Sequence, residues 1–163
     1  MKKNDMRQQI AQLGNGAHAL ATQMLGNRDD AADAVHDACV KVLRQPASYK
    51  AANGPFAPWF LRVVRNHCID MIRRRRPATV DIGELVDSGP GPEASLEISQ
   101  RDHELQLALQ RVSAEQRQII VLRDYMDLSY ADIAEVLELA PGTVMSRLHR
   151  ARLALKEELI QHG

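Results

Sequence analysis

The sequence contains few aromatic residues and no long apolar run, and each shortage excludes a class of protein. Aromatic side chains make up 4% of the chain although hydrophobic residues make up 45%, so we predict a helical core packed from alanine, leucine, valine and isoleucine. No run of about eighteen apolar residues occurs, and residues 1–20 lack an apolar core long enough for a signal peptide. We therefore expect a cytoplasmic protein with no direct membrane insertion.

Cysteine is also scarce, and disulfides are rare in cytosolic proteins. The two thiols, Cys39 and Cys68, could be imagined as zinc ligands together with His36 and His67, with His18 as a spare ligand. The helical spacing, however, assigns both cysteines to packing positions. The sequence also shows no paired carboxylates, no phosphate-binding loop and no nucleophile–base arrangement. We predict no metal, no cofactor and no catalytic site.

The net charge of zero conceals an uneven distribution of charge along the chain. Residues 1–76 hold 13 basic and 6 acidic side chains, which is a net charge of +7. Residues 77–98 hold 5 acidic side chains and no basic one, and residues 99–163 hold 8 basic and 10 acidic side chains. A basic front half, an acidic middle and a locally basic C-terminal segment indicate contact with a polyanion at two separate places.

The hydrophobic periodicity is helical and predicts an all-α protein with two small domains. We predict the first domain at residues 5–76 and the second at 99–161. Residues 77–98 are rich in proline, glycine, serine and acidic side chains and show no sustained period, which predicts a flexible linker. As a random coil the linker would hold its ends on the order of 25 Å apart, and fully extended it would reach about 70 Å.

The second predicted helix of the first domain, DAADAVHDACVKVLR, has a charged face opposite its apolar stripe. Asp29 or Asp30 is predicted to cap it. Acidic residues come first and basic residues last on the charged face, which consists of Asp33, Asp37, Lys41 and Arg44. Side chains spaced in this way can support an exposed helix by a few tenths of a kcal/mol each. The alternative is a surface that binds another protein.

A third helix is predicted after the loop at residues 45–55, and it combines aromatic and basic side chains. Phe56, Trp59 and Phe60 are three of the six aromatic residues, and we expect them in the core. Seven basic residues and one acid lie between Lys50 and Arg76. The four arginines at 73–76 could complement the C-terminal end of the helix, but their density next to an aromatic loop favours a groove that binds a nucleic-acid backbone and stacks bases.

Residues 129–159 read as two helices joined by a tight turn. Ser129 and Asp132 begin the first helix in a manner similar to a capping box, and Pro141 suits the start of the second. In the second helix Val144 begins an apolar stripe at spacings of three and four; the open face carries Ser146, Arg147, His149 and Arg150. This is the helix-turn-helix arrangement, in which the second helix enters a major groove. The alternative is a solvated basic face.

Taken together, these segments resemble an extracytoplasmic-function (ECF) sigma factor of the sigma-70 family, over residues 9–159. DAADAVHDACVKVLR is similar to the family's helix that binds core polymerase, and FAPWFLRVVRNHCIDMIRRRR to its promoter-melting and −10 helix. LSYADIAEVLELAPGTVMSRLHRARLAL is similar to its −35-reading helix-turn-helix. The resemblance implies a helical region 2 bundle, a C-terminal region 4 and an initiation subunit without catalytic activity.

The resemblance also implies a role for each polar surface. The second helix would contact the clamp helices of the polymerase β′ subunit through Asp33, Asp37, Lys41 and Arg44. The loop and third helix would bind unpaired bases of the −10 element through Tyr49, Asn53, Phe56, Arg62, Arg65, Asn66 and Arg73. The helix-turn-helix would contact the −35 duplex through Thr143, Met145, Ser146, Arg147, His149 and Arg150. Met145 stands where the family commonly carries a basic residue.

The partners that the resemblance implies are core RNA polymerase, bound at its β′ clamp helices and its β flap, promoter DNA, and an inhibitory anti-sigma factor. The protein would associate with the nucleoid when active, and an anti-sigma factor could hold it at the membrane. Two other functions stay open. One is a dimeric helix-turn-helix activator that binds duplex DNA alone, and the other is a protein that binds RNA or single strands through its basic front half.

Overall fold

The computed structural model describes residues 1–75 and 100–162, which are helical almost throughout and contain no strand. Within these ranges seven α-helices follow one another: α1 (Lys3–Leu25), α2 (Arg28–Arg44), α3 (Phe56–Arg75), α4 (Gln100–Arg111), α5 (Ala114–Ile120), α6 (Tyr130–Leu137) and α7 (Val144–His162). The all-α prediction is confirmed. The predicted linker at 77–98 lies outside the described residues.

The junction between α1 and α2 is set by Gly26 and Asn27. Gly26 adopts a left-handed conformation with φ 73°, and its N–H donates to the Thr22 carbonyl. Asn27 is extended, and its Oδ1 accepts the N–H groups of Asp29 and Asp30 at 2.8 and 3.0 Å. The prediction that Asp29 or Asp30 caps α2 is therefore wrong. Both are already helical, where their negative charges suit the positive end of the helix dipole.

Helices α1, α2 and α3 pack against one another around an apolar core. Met6, Leu20, Phe60, Leu61 and Val64 are completely buried there. The predicted aromatic cluster at the start of α3 is confirmed. Its rings lie 5.2 to 5.7 Å apart between centroids, in the pairs formed by Tyr49, Phe56, Trp59 and Phe60.

The back half is built from short helices with well-defined starts. Ser113 and Gln116 form a capping box at α5, and the Ser129 hydroxyl accepts the Asp132 N–H at the start of α6, as predicted. A π-helical turn (Val121–Tyr125) follows α5, and a 3-10 turn (Pro141–Thr143) leads into α7. The predicted helix-turn-helix therefore consists of α6, a turn containing Glu138 in the left-handed region at φ 55°, and α7.

The front and back halves pack directly against each other. Helix α1 lies on α5 and on the π-helical turn, and α3 lies on α6. Buried side chains of both halves form one continuous apolar cluster. Nothing in the helical periodicity of either half indicates this packing, and it determines how the candidate surfaces are arranged. Within the two described ranges, every helix is too short or too polar to cross a bilayer.

Candidate nucleic-acid and protein interfaces

Helix α7 presents a polar face to solvent because its apolar stripe is buried. Val144, Leu148 and Ala151 are at most 1% exposed and pack in the core. The residues between them point outward and are all exposed: Met145, Ser146, Arg147, His149 and Arg150. The sixth predicted −35 residue, Thr143, is half-buried, and its hydroxyl donates to the Ala140 carbonyl at 2.8 Å.

The arginines of α7 differ in what they contact. Among the residues that the structure describes, Arg147 and Arg150 have no hydrogen-bond or ion-pair partner, so their guanidinium groups are available to an external anion. Arg152 instead pairs with Asp124 through two of its nitrogens. The hydrogen bond to Asp124 raises the pKa of Arg152. Arg152 carries the same charge on the same helix as Arg147 and Arg150, but its guanidinium group is already bound within the protein.

The charged face of α2 is exposed in the same way. Ala34, Ala38 and Val42 are buried, and the four residues of the opposite face are exposed: Asp33, Asp37, Lys41 and Arg44. Asp37 lies 3.3 Å from Nε2 of His67 in α3. In the described ranges no ion pair joins Asp37 to Lys41. No ion pair between Asp37 and Lys41 holds the face, and the contact of Asp37 with His67 leaves the Asp37 side chain exposed to a partner.

The loop before α3 is folded around Tyr49. Its hydroxyl donates to the Gly54 carbonyl at 2.7 Å, and its ring packs on Phe56 and Trp59. Gly54 has φ 125°, a conformation that suits glycine. Asn53 is exposed at the tip. Phe56, however, is only 3% exposed, so its ring supports the loop from below and offers no free face to a base.

The remaining −10 candidates lie along α3. Asn66 and Arg73 are exposed and Arg62 is half-buried. Arg65 faces the back half, where its Nε donates to Oε1 of Gln118 at 2.8 Å. Burial lowers the pKa of Arg65, and the nearby carboxylates of Glu138 and Glu115 oppose this effect.

Arg65, Arg147 and Arg150 line one pocket of about 330 Å³ between the halves. The pocket thus joins a candidate −10 residue from α3 to two candidate −35 residues from α7. Sequence reasoning placed these side chains on separate surfaces of separate domains. It also missed Gln118 and Arg117, which are buried polar residues at this junction. In the sequence, the only sign that Arg117 and Gln118 are buried is their position directly before Ile119 and Ile120.

The two cysteines are poor candidates for redox or metal chemistry. Cys68 is completely buried, and burial raises the pKa of its thiol to about 12. Burial also raises the pKa of Cys39. Oxidants react with the thiolate, and burial disfavours that form in both side chains. Over residues 1–75 and 100–162, no three histidine, cysteine, aspartate or glutamate side chains come together as a metal-binding group.

The order of the two halves agrees with comparisons to known proteins. Residues 10–78 match the family model for sigma-70 region 2, and residues 102–155 match the model for sigma-70 region 4. These matches define the class of protein, which is the sigma-70 family. Because the chain is also 34% identical over 147 residues to ECF RNA polymerase sigma factor SigL of Mycobacterium tuberculosis, covering 88% of this chain and 82% of SigL, it belongs to the ECF sigma factors.

A second relative and a solved structure extend the comparison. The chain is 32% identical over 159 residues to ECF RNA polymerase sigma factor SigE of Mycolicibacterium smegmatis, covering 94% of this chain but only 61% of SigE. The fold is similar to that of the sigma factor RpoE from Bartonella quintana, solved in complex with the anti-sigma factor NepR. That similarity has a TM-score of 0.76 at 27% identity and covers 98% of this chain and 99% of RpoE.

Proposed function

We propose that this protein binds core RNA polymerase and directs it to promoters by recognising a −10 and a −35 element. The observation that carries the proposal is the pair of exposed charged faces on one chain. One is the face of α2, which carries acids and bases, and the other is the cationic face of α7. Both lie opposite buried apolar stripes, so each face is held rigidly by the core beneath it.

The two faces suit different partners. On α7, guanidinium groups and hydroxyls can reach phosphates and base edges in a major groove. On α2, mixed charges suit a complementary protein surface, which we identify with the β′ clamp helices of the polymerase. The front half, proposed at residues 5–76, would also hold the −10 strand through Tyr49, Asn53 and the exposed polar residues of α3. The back half, proposed at residues 99–161, would bind the −35 duplex and the β flap.

Control and location follow from the same proposal. An anti-sigma factor would cover one or both charged faces and keep the protein from the polymerase. The protein would act in the cytoplasm, at the nucleoid, and an anti-sigma factor could hold it at the membrane. Nucleotide transfer would belong to the polymerase, and this chain would contribute binding free energy and no catalytic group.

Transcription in vitro with purified core polymerase tests the proposal directly. Core polymerase supplied with this protein should initiate at discrete sites in a promoter library, and core polymerase alone should not. The start sites should share two elements at fixed spacing. If the protein instead failed to bind core polymerase and footprinted duplex DNA by itself as a symmetric pair, it would be a dimeric activator and the proposal would be wrong.

Reversing the charge of Asp37 should weaken polymerase binding and leave the protein folded. We expect Asp37→Arg to weaken binding to core polymerase at least about tenfold, because like charges placed across an interface cost several kcal/mol. The measurement is a titration of core polymerase with labelled protein. Asp5→Arg is the matched control, since Asp5 is an exposed acid of the same half on α1. Equal losses of affinity for core polymerase in the two variants would mean that α2 does not contact the polymerase.

Met145 should read a thymine in the −35 element. Its side chain is 64% exposed on the face that carries Arg147, and a flexible apolar side chain in a major groove can contact the thymine C5-methyl group. We expect Met145→Ala to reduce the preference for thymine severalfold at a single position of a randomised −35 library. Replacing that thymine by uracil removes only the methyl group, so it should weaken binding of the original protein and leave binding of the variant unchanged. If the losses of affinity caused by Met145→Ala and by the uracil replacement simply added together, Met145 would not contact the thymine methyl group.

A further inference from the structure

A histidine of α3 lies directly against the charged face of α2. Nε2 of His67 is 3.3 Å from Oδ2 of Asp37. The side chain of His67 is 27% exposed, whereas that of Asp37 is 57% exposed. The imidazole is therefore mostly beneath the surface, and the carboxylate that it meets belongs to the face offered to a partner.

The contact depends on the charge of His67, because it is not a directed hydrogen bond. Nε2 of His67 is buried and has no hydrogen-bond partner among the residues described, so the short distance to Asp37 comes without hydrogen-bond alignment. A neutral imidazole gains little from a carboxylate without that alignment, whereas an imidazolium cation attracts it from any direction. Histidine is the side chain that ordinarily changes charge between pH 5 and 8. The strength of the contact therefore follows the protonation of His67.

The charges around this contact leave Asp37 as the partner of His67. In the described ranges, Asp37 is the one acid with an oxygen within 4 Å of an imidazole nitrogen of His67. On the same face of α2, Asp33 and Lys41 stand one turn to either side of Asp37 and have opposite charges. On α3 itself, Asp70 follows His67 by one turn.

Helices α1 and α6, which also pack on α3, supply no further ion-pair partner. Residues 8–25 of α1 contain one titratable side chain, His18, which is bonded to the Arg28 carbonyl at 3.1 Å. The acids of α6, Asp132 and Glu135, form no ion pair with the imidazole in the described part of the chain. A positive charge on the imidazole is therefore balanced by the face of α2.

We infer that His67 is a positioning residue of the polymerase-binding face, and that its protonation weakens binding to core RNA polymerase. The inference rests on the proposed function, because it requires Asp37 to contact the polymerase. Protonated His67 holds the Asp37 carboxylate against α3 and neutralises its charge, so a cationic group of the polymerase has to compete for it. Neutral His67 leaves the carboxylate to the polymerase. Binding then releases up to one proton, so affinity rises with pH over the range in which histidine titrates.

Titration of core polymerase with the labelled full chain, at about pH 8 and at about pH 6, tests the inference. A partly exposed ion pair changes an equilibrium by up to about fivefold. Between the two pH values, we expect the affinity of the unmodified protein to fall at least about threefold more than that of His67→Gln, which cannot become charged. His103→Gln is the matched control, since His103 is an exposed histidine of α4. It should keep the pH profile of the unmodified protein.

Two further variants test whether the effect passes through Asp37. His67→Lys carries a positive charge at both pH values, so its affinity should stay near the acid value of the unmodified protein and should not recover at about pH 8. Asp37→Asn removes the carboxylate. Adding His67→Gln to Asp37→Asn should therefore leave the pH profile unchanged, because the two side chains act as a pair.

Equal pH profiles for the unmodified protein and His67→Gln would overturn the inference, and so would full recovery of His67→Lys at about pH 8. Circular dichroism at each pH separates loss of binding from loss of folding. If His67→Lys did not fold, the comparison with His67→Gln would decide alone. Absence of polymerase binding by the unmodified protein at both pH values would instead mean that the proposed function is wrong, so the two failures are distinguishable.

Discussion

Replacing Arg147 and Arg150 together by alanine should reduce the affinity of the polymerase-bound protein for a −35 element by at least about 30-fold. Each arginine that makes a bidentate contact to a guanine edge contributes about 1–3 kcal/mol, and both side chains are exposed on α7 without a partner in the described part of the chain. The affinity for core polymerase should not change, because α2 is untouched. Anisotropy of a labelled −35 duplex measures the first quantity, and titration of core polymerase measures the second.

Arg152→Ala is the matched control for this experiment. Arg152 lies on the same helix, but it is bound to Asp124, so we expect duplex affinity to change less than about twofold. An exposed ion pair contributes little to stability, so the control should also fold normally. Loss of duplex binding in Arg152→Ala equal to that of the double variant would mean that net charge, and not the position of the two arginines, determines affinity.

The salt dependence of each single variant would show what each arginine contacts. If Arg147 binds a phosphate, Arg147→Ala should reduce the slope of log affinity against log salt by about one and weaken all sequences equally. If it binds a guanine edge, the slope should stay nearly unchanged and specificity should relax at one base pair. The same measurement on Arg150→Ala assigns the second contact.

Phe60→Ala should lower the free energy of unfolding by about 3–5 kcal/mol. Phe60 is completely buried, and its ring meets Phe56 edge-on with centroids 5.6 Å apart, so truncation leaves a cavity beneath the aromatic loop. Domains of this kind have total stabilities of about 5–15 kcal/mol, so the loss is a large fraction. Denaturation in urea, followed by helical circular dichroism, gives the difference.

Tyr125→Ala is the control for aromatic truncation. Tyr125 is 62% exposed, so we expect its replacement to change stability by less than about 0.5 kcal/mol. If Phe60→Ala were as mild as Tyr125→Ala, the aromatic cluster would not be the centre of the front core. The support of the −10 loop by Phe56 would then also have to be reconsidered.

Local rules predicted much of the molecule. The spacing of Val144, Leu148 and Ala151 fixed which side of α7 is buried, and the opposite face followed from helical geometry. The cap at Ser129 was found because a capping side chain acts within three residues. The cap at Asn27 was missed, since three of the four residues at 27–30, Asn27, Asp29 and Asp30, are good caps and only the backbone conformation selects one of them.

Phe56 shows where the resemblance and the local pattern disagree, since the helical spacing placed it in the core and the resemblance assigned it to the −10 strand. A hydrophobic residue beside a basic loop can either stack on a base or support the loop, and composition does not distinguish the two. Its burial at 3% exposure depends on Tyr49, Trp59 and Phe60, which close over it from the loop and from the next turn of α3. The exposed members of the same candidate set, Asn53, Asn66 and Arg73, remain predicted contacts to the −10 strand.

The sequence by itself determined that the chain is helical and which helix faces are charged, because these properties depend on residues a few positions apart. Only the tertiary structure decided that the two halves meet, since the contacts that join them link Arg65 to Gln118 and Arg117 to Gln23, 53 and 94 residues apart. No periodicity records contacts over such distances. They arise because apolar surface left over on α1 and α3 after each half has folded is removed from water only when the halves pack together.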